Sequence, residues 1–144
     1  MEHHDKSHKR GSHLQLVVVT PEATVLEETA EFVALPLYDG EVGIAPLHSP
    51  MIGRLGYGEM RVKHADRVSR YYVDGGFVQV VDDVVSVLTS RAVPAGALDG
   101  GVAGEQLAEA RRRPANTPEL MALRERAELQ ARAQLRVARH AAGA

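Results

Sequence analysis

The chain contains no cysteine and no tryptophan, only two phenylalanines, and no long apolar run. Without cysteine there is no disulfide framework, no thiolate metal site and no thiol nucleophile, and the composition suits a reducing compartment. With four tyrosines as the remaining aromatic supply, the chain has little from which to build the aromatic platforms of a sugar- or peptide-binding sandwich. No stretch approaches the roughly 18 uninterrupted apolar residues of a membrane-spanning helix, and no apolar signal-peptide core follows the first methionine. A soluble chain, not exported by that route, is expected. Catalytic signatures are missing too: there is no nucleophile elbow, phosphate-binding loop or metal-ligand spacing. These gaps favour a binding or coupling module over an enzyme with its own active site, with no cofactor and no metal.

What is present is enough for a core. The 144 residues are 44% hydrophobic, which allows one ordinary domain, or a compact domain of about 90 residues with an appendage. With so few aromatics the core must be aliphatic, drawn from Val and Leu. The net charge is -2, which argues against a nucleic-acid binder. Its distribution is uneven. Residues 14 to 104 hold six Lys/Arg against twelve Asp/Glu, while residues 105 to 144 hold eight Arg against five Glu. An acidic body therefore carries a basic arm. Residues 1–13, "MEHHDKSHKRGSH", hold four of the seven histidines and almost nothing apolar, and read as a disordered, solvated tail.

From Leu14 to Val93 short β-rich pieces alternate with turn residues, the pattern of an antiparallel sandwich or barrel. "LQLVVV" ends at Thr20-Pro21, "AEFVALPL" at Asp39-Gly40, "EMRVKH" at Ala65-Asp66 and "RYYV" at Asp74-Gly75-Gly76, while "FVQVV" and "VVSVLT" flank Asp82-Asp83. In residues 59–64, Glu59, Arg61 and Lys63 should face water while Met60 and Val62 face the core. Asp82-Asp83 suits a two-residue hairpin turn, and Asp74-Gly75-Gly76 suits a turn reversing one strand into the next. His48 lacks any nucleophile context that would make it a catalytic base.

At Leu98 the pattern changes. "DGGVAG" reads as a glycine-rich joint, because glycine weakens a helix by about 1 kcal/mol per residue. Beyond it come "EQLAEARRR", a break at "PANTPE", and a long Ala- and Arg-rich segment for which Thr117-Pro118 supplies a cap and a first helical residue. The stripe Leu120, Leu123, Ala127, Ala131, Leu135 and Ala138 is narrow and mostly methyl groups, so it should dock weakly. Two outcomes stay open, a helix that can be displaced and a hairpin packed permanently. Pairs such as Glu128 with Arg132 would add a few tenths of a kcal/mol each. The expected organisation is a tail over 1–13, a β-sandwich domain over 14–99, and a glycine hinge with a helix-turn-helix hairpin over 100–144.

"YDGEVGIAPLHSPMI" (38–52), "YYVDGGFVQVVDDVVSVL" (71–88), "LD" (98–99) and "AQLRVARHA" (133–141) together resemble the epsilon subunit of bacterial and chloroplast F-type ATP synthases. Each piece is short, but they occur in order and at suitable distances across Leu14 to Ala142. The resemblance implies an N-terminal sandwich of about ten strands in two sheets followed by a C-terminal α-helical hairpin. It implies a non-catalytic rotor subunit of the central stalk, which binds the gamma shaft and the c ring and couples proton flow to ATP synthesis carried out by alpha and beta. The address implied is the cytoplasmic face of the bacterial plasma membrane, held there only through the complex. Asp39, Gly40 and Glu41 align with a c-ring contact, and Thr20, His48, Met51 and Ile52 with positions close to gamma. Prolines 46 and 50 stiffen that second segment, so less order is lost on docking.

In many members the hairpin also rises along gamma and blocks ATP hydrolysis. Arg124, Arg126, Arg132, Arg136 and Arg139 could then meet acidic surfaces of alpha and beta. Some members bind ATP through an Ile/Leu-Asp-x-x-Arg-Ala motif. Here Leu98, Asp99 and Ala103 match, but Val102 stands at the arginine position, and a neutral side chain cannot neutralise phosphate charge. ATP binding there is expected to be absent or very weak. The alternative from the residues alone is a free-standing β-sandwich that binds a ligand or peptide.

Overall fold

The structure is a computed structural model that describes residues 11–143. Most of the expected tail, residues 1–10, lies outside the described residues. Eight strands come first: β1 (Leu14–Val19), β2 (Thr24–Ala30), β3 (Phe32–Leu37), β4 (Gly40–Ile44), β5 (Met51–His64), β6 (Arg67–Val81), β7 (Val84–Leu88) and β8 (Ala92–Pro94). A 3-10 turn at Ala95–Ala97 leads to two helices, α1 (Gly100–Arg111) and α2 (Pro118–Ala141). The strands form a β-sandwich whose hydrogen-bonded order is β2-β1-β7-β6-β5-β3-β4, with β8 added to β6. β1 and β7 run parallel.

Two long strands build both layers. β6 pairs with β8 through Tyr71–Val73 and with β7 through Phe77–Val81. Counting each half of β5 and β6 separately brings the eight strands to the expected ten. A strand shows alternate residues to opposite faces, yet the inward set switches along β6: Val73 lies in the main core before the bend, and Val78 and Val80 lie in it afterwards. β5 switches with it, from Leu55 to Met60 and Val62. The switch falls at Gly75 and Gly76, whose φ values are +73° and +105°, a region that residues with a Cβ avoid. Asp74-Gly75-Gly76 is thus a corner inside one strand and not the reversal between strands that its composition suggests. Pairing with β5 continues on both sides of it, from Tyr57 opposite Asp74 to Leu55 opposite Gly76.

The rest of the β-region follows local rules. Leu14, Leu16 and Val18 point inward on β1, and Met60 and Val62 are buried between the more exposed Glu59, Arg61 and Lys63. Asp82 and Asp83 have φ of 50° and 64°, the left-handed pair required by a tight mirror-image hairpin turn. The core is aliphatic as its composition requires, and each fully buried Val or Leu contributes about 1.5–3 kcal/mol.

The helices differ from the expected pattern at two places. The glycines of "DGGVAG" lie in the first turns of α1 and do not form an open joint, because Asp99 Oδ1 accepts from the Gly101 and Val102 N–H groups at 2.8 and 3.2 Å. That cap supports a start which glycine alone would weaken. On α2, Thr117 caps Leu120 N–H at 3.1 Å as expected, but the buried residues are Ala131, Ala133, Val137 and Ala138, while Leu123 is exposed. The apolar stripe therefore faces two neighbours. Ala133 and Val137 pack on the sandwich, and α1 supplies Ala103, Leu107 and Ala110 to the hairpin seam.

A Cβ on Gly76 would overlap the Leu88 carbonyl oxygen and the Thr89 Cα. Gly76→Ala should cost about 3 kcal/mol or more, read as a lowered denaturant midpoint. Gly96→Ala, where a Cβ meets open space, should stay within about 0.5 kcal/mol of the parent.

Candidate functional site

The outer face of the β5–β6–β7 layer carries apolar side chains that nothing among the described residues covers. Ile52, Phe77 and Leu88 are 77%, 57% and 53% exposed. Phe77 stands directly opposite Leu88 across β6 and β7 and opposite Arg54 on β5, one pleat from Ile52. Thr20 and Pro21 line a shallow hollow with Leu88 and Gly76. Thr20 also closes the β1–β2 turn, its hydroxyl donating to the Ala23 carbonyl at 3.3 Å. The segment 45–50 leads into Met51 and Ile52. Met51 points the other way, packing against the core, so the pleat removes it from this face and Phe77 and Leu88 take its place. Contiguous exposed apolar side chains on a rigid sheet mark an interaction surface.

The acidic turn between β3 and β4 is exposed at Tyr38, Asp39, Gly40 and Glu41. Arg54 lies over the Tyr38 ring at 4.4 Å, a cation–π contact that stiffens the turn. Glu41 is held at 3.0 Å by Arg61, which also lies 3.7 Å from Glu59. Glu59 in turn meets Arg70 at 3.1 Å and His140 at 3.1 Å. A chain of polar contacts thus runs from the acidic turn to the end of α2. Each exposed pair in it is weak.

The hairpin rests on the opposite end of the bend. Tyr72 and Val73 are consecutive and both fully buried, which requires a cover on both faces of the strand. Val73 belongs to the sandwich core, and Tyr72 lies beneath Ala133 and Val137 of α2. The Tyr72 hydroxyl donates to Asp74 Oδ1 at 2.7 Å, and Gln130 Nε2 donates to the same carboxylate at 3.2 and 3.3 Å. Burial first, and then the bond to Asp74, push the Tyr72 phenol well above its ordinary value near 10, while a hydrogen bond from Gln134 pulls the other way. The seam therefore has a polar register as well as small apolar contacts.

The five arginines assigned to the arm do not act alike. Arg124 pairs with Glu128 at 3.5 Å, so the pair on this turn is Arg124–Glu128 and not Glu128–Arg132. Arg132 and Arg136 line a cleft of about 360 Å³ against Tyr38, Arg54 and Tyr57. Arg126 and Arg139 are exposed. Asp99 is occupied as a helix cap and Val102 is exposed.

A sequence profile described as ATP synthase, Delta/Epsilon chain, beta-sandwich domain, matches residues 13–95. A protein of Rhodopirellula baltica named ATP synthase epsilon chain is 52% identical over 126 residues, which span 88% of this chain and 98% of the relative. The chain belongs to the ATP synthase epsilon-chain family. A relative of the same name from Desulfitobacterium hafniense is 42% identical over 98 residues, covering 67% of this chain and 74% of its own. The fold agrees with a chain in the cryo-EM structure of the Euglena gracilis mitochondrial ATP synthase, with a TM-score of 0.80 at 22% identity, covering 95% of this chain and 85% of that one. A chain in the central stalk and c-ring structure from Tetrahymena thermophila gives 0.70 at 12% identity, covering 91% and 99%. No helix among the described residues is long and apolar enough to cross a membrane.

Sequence reasoning missed Phe77, Leu88, Tyr72 and Gln130. A signal existed for the first, since in "FVQVV" Phe77 shares the outward side with Gln79, two residues on, while Val78 and Val80 point inward. The Tyr72–Asp74–Gln130 lock had none, because Gln130 lies 56 residues from Asp74. Tyr72→Phe should destabilise docking of α2 by about 1–3 kcal/mol by leaving Asp74 short of a donor. Amide exchange along α2 should accelerate while the sandwich core keeps its protection. The folded phenol titrates above the unfolded one, so its contribution is complete below about pH 10 and is lost as pH rises further. A stability–pH curve of the phenylalanine variant should lack that alkaline decline.

Proposed function

We propose that the chain is a non-catalytic central-stalk element that joins the gamma shaft to the c ring and turns with them, helping to couple proton translocation to ATP synthesis. The observation that carries this reading, beside family membership, is the exposed apolar face of Ile52, Phe77 and Leu88 on strands paired along the sandwich. Such a face suits an apolar strip of gamma, with Thr20 and the His48 loop at its margin. The acidic turn at Asp39, Gly40 and Glu41 suits polar loops of the c ring, to which carboxylates offer charge-assisted hydrogen bonds. Chemistry belongs to the alpha and beta subunits. The chain is then peripheral, on the cytoplasmic face of a bacterial plasma membrane, held through the complex. A free-standing ligand-binding sandwich is not favoured by the family relationship.

The hairpin supports a regulatory role. Its seam of alanines and one valine is small, and its outward arginines are placed to meet acidic surfaces of alpha and beta if it leaves the sandwich.

Phe77→Asp should weaken binding to purified gamma by about tenfold to a hundredfold, since buried aromatic anchors dominate such interfaces. Far-ultraviolet circular dichroism should remain unchanged, because Phe77 is exposed. Undiminished gamma binding would count against the face. Removing residues 105–144 should raise ATP hydrolysis by the assembled head, and an unchanged rate would remove the inhibitory role.

A further inference from the structure

Asp83 is 1% exposed although it sits in a two-residue surface turn beside the exposed Asp82. Its backbone is left-handed, φ 64°, and its side chain points inward. There Oδ1 accepts from the Leu47 N–H at 2.6 Å and Oδ2 accepts from the Gly11 N–H at 2.7 Å. Its own carbonyl accepts from Gln15 N–H at 2.8 Å. One residue thus ties the β6–β7 turn to the segment before β1, to β1 itself, and to the loop between β4 and β5. A turn needs no buried carboxylate for its own sake; the exposed Asp82 takes up the same left-handed backbone without one.

The loop it holds is one that needs holding. Leu47 has φ of 68°, an unfavourable conformation for a residue with a Cβ. The N–H of that strained residue is the group that Asp83 Oδ1 accepts from, at 2.6 Å. Leu47 is 70% exposed, so its side chain does not pack deeply enough to fix the conformation by itself. One residue further on, His48 Nδ1 lies 2.7 Å from the Ser49 carbonyl. A carbonyl only accepts, so Nδ1 carries the proton, and the ring's orientation is set by the loop's conformation.

We propose that Asp83 is the positioning residue of the gamma-docking loop. By accepting the Leu47 and Gly11 backbone N–H groups, its buried carboxylate holds residues 46–50 about the left-handed Leu47 and so fixes how Leu47 and His48 are presented. This rests on the reading of the His48 loop as a gamma contact. Pre-organisation of that kind raises affinity by removing an ordering cost from the binding step. Asp83 acts through the loop and not by contact with gamma.

The test uses the full chain and purified gamma in a double-mutant cycle of Asp83→Asn and His48→Ala, with amide exchange at Leu47 followed in parallel. Asparagine keeps the shape but places an NH₂ group against one of the two N–H donors. In the wild-type chain the Leu47 amide should exchange about a hundredfold more slowly than an open loop amide. In D83N that protection should fall and gamma affinity should drop about tenfold. In the H48A background the same substitution should cost less than about twofold, because coupled residues are not additive. A role confined to general stability would give additive losses and would overturn the proposal, as would an unprotected Leu47 amide in the wild type. That last measurement needs no variant and stands even if D83N fails to fold. If H48A alone leaves gamma binding intact while Leu47 loses protection in D83N, the clamp exists but the loop does not dock gamma, and both the proposal and that part of the functional reading fall. If H48A weakens binding but D83N does not, only the proposal falls.

Discussion

The corner at Gly75 and Gly76 governs the rest of the molecule. Two strands that stay paired over most of their length must serve two layers, and each layer demands that its own alternate residues point inward. The switch from Val73 to Val78 on β6, and from Leu55 to Met60 on β5, satisfies both demands at once. It works only where the backbone can enter positive φ and pass within contact distance of the Leu88 carbonyl, which a side chain at Gly76 would prevent. Because both strands change together, the outward side is redefined as well. Before the corner on β6, Tyr72 faces outward and is covered by α2. After it, Phe77 faces outward and is left bare.

That redistribution separates the surfaces. The hairpin covers one half of the long strands, through Ala133 and Val137 over Tyr72, and the apolar face occupies the other half. The two are joined by backbone that is paired on both sides, so torque applied at one is carried by hydrogen-bonded strands rather than by loops. The hairpin seam combines little apolar area with a polar register set by Tyr72, Asp74 and Gln130. An interface of that composition is specific in position without being large, the combination a displaceable element requires.

Several local features were legible from the residues themselves. Alternation in residues 59–64, the aliphatic core, the Asp82-Asp83 turn and the Thr117 cap all depend on neighbours a few positions away, and the chain adopts each of them. Where reasoning from composition went astray, a longer-range term intervened. Asp74-Gly75-Gly76 has the composition of a reversal, but β5 lies alongside and keeps the strand going. "DGGVAG" has the composition of a joint, but Asp99 caps it into α1. Leu123 belongs to a helical stripe by spacing, but the hairpin presents two narrower faces to two different neighbours and leaves it outside.

The sequence alone determined the element types, the aliphatic character of the core, the acidic body with its basic arm, and the family, because these depend on composition and short-range order. Only the tertiary structure decided which apolar residues stay uncovered, that Met51 turns inward while Phe77 does not, that Glu41 is paired with Arg61, and that Asp83 reaches Leu47 and Gly11. Those outcomes depend on strand register and on residues 20 to 72 positions apart. Such separations are closed by packing and pairing across the whole sandwich, which no local stretch of the chain encodes.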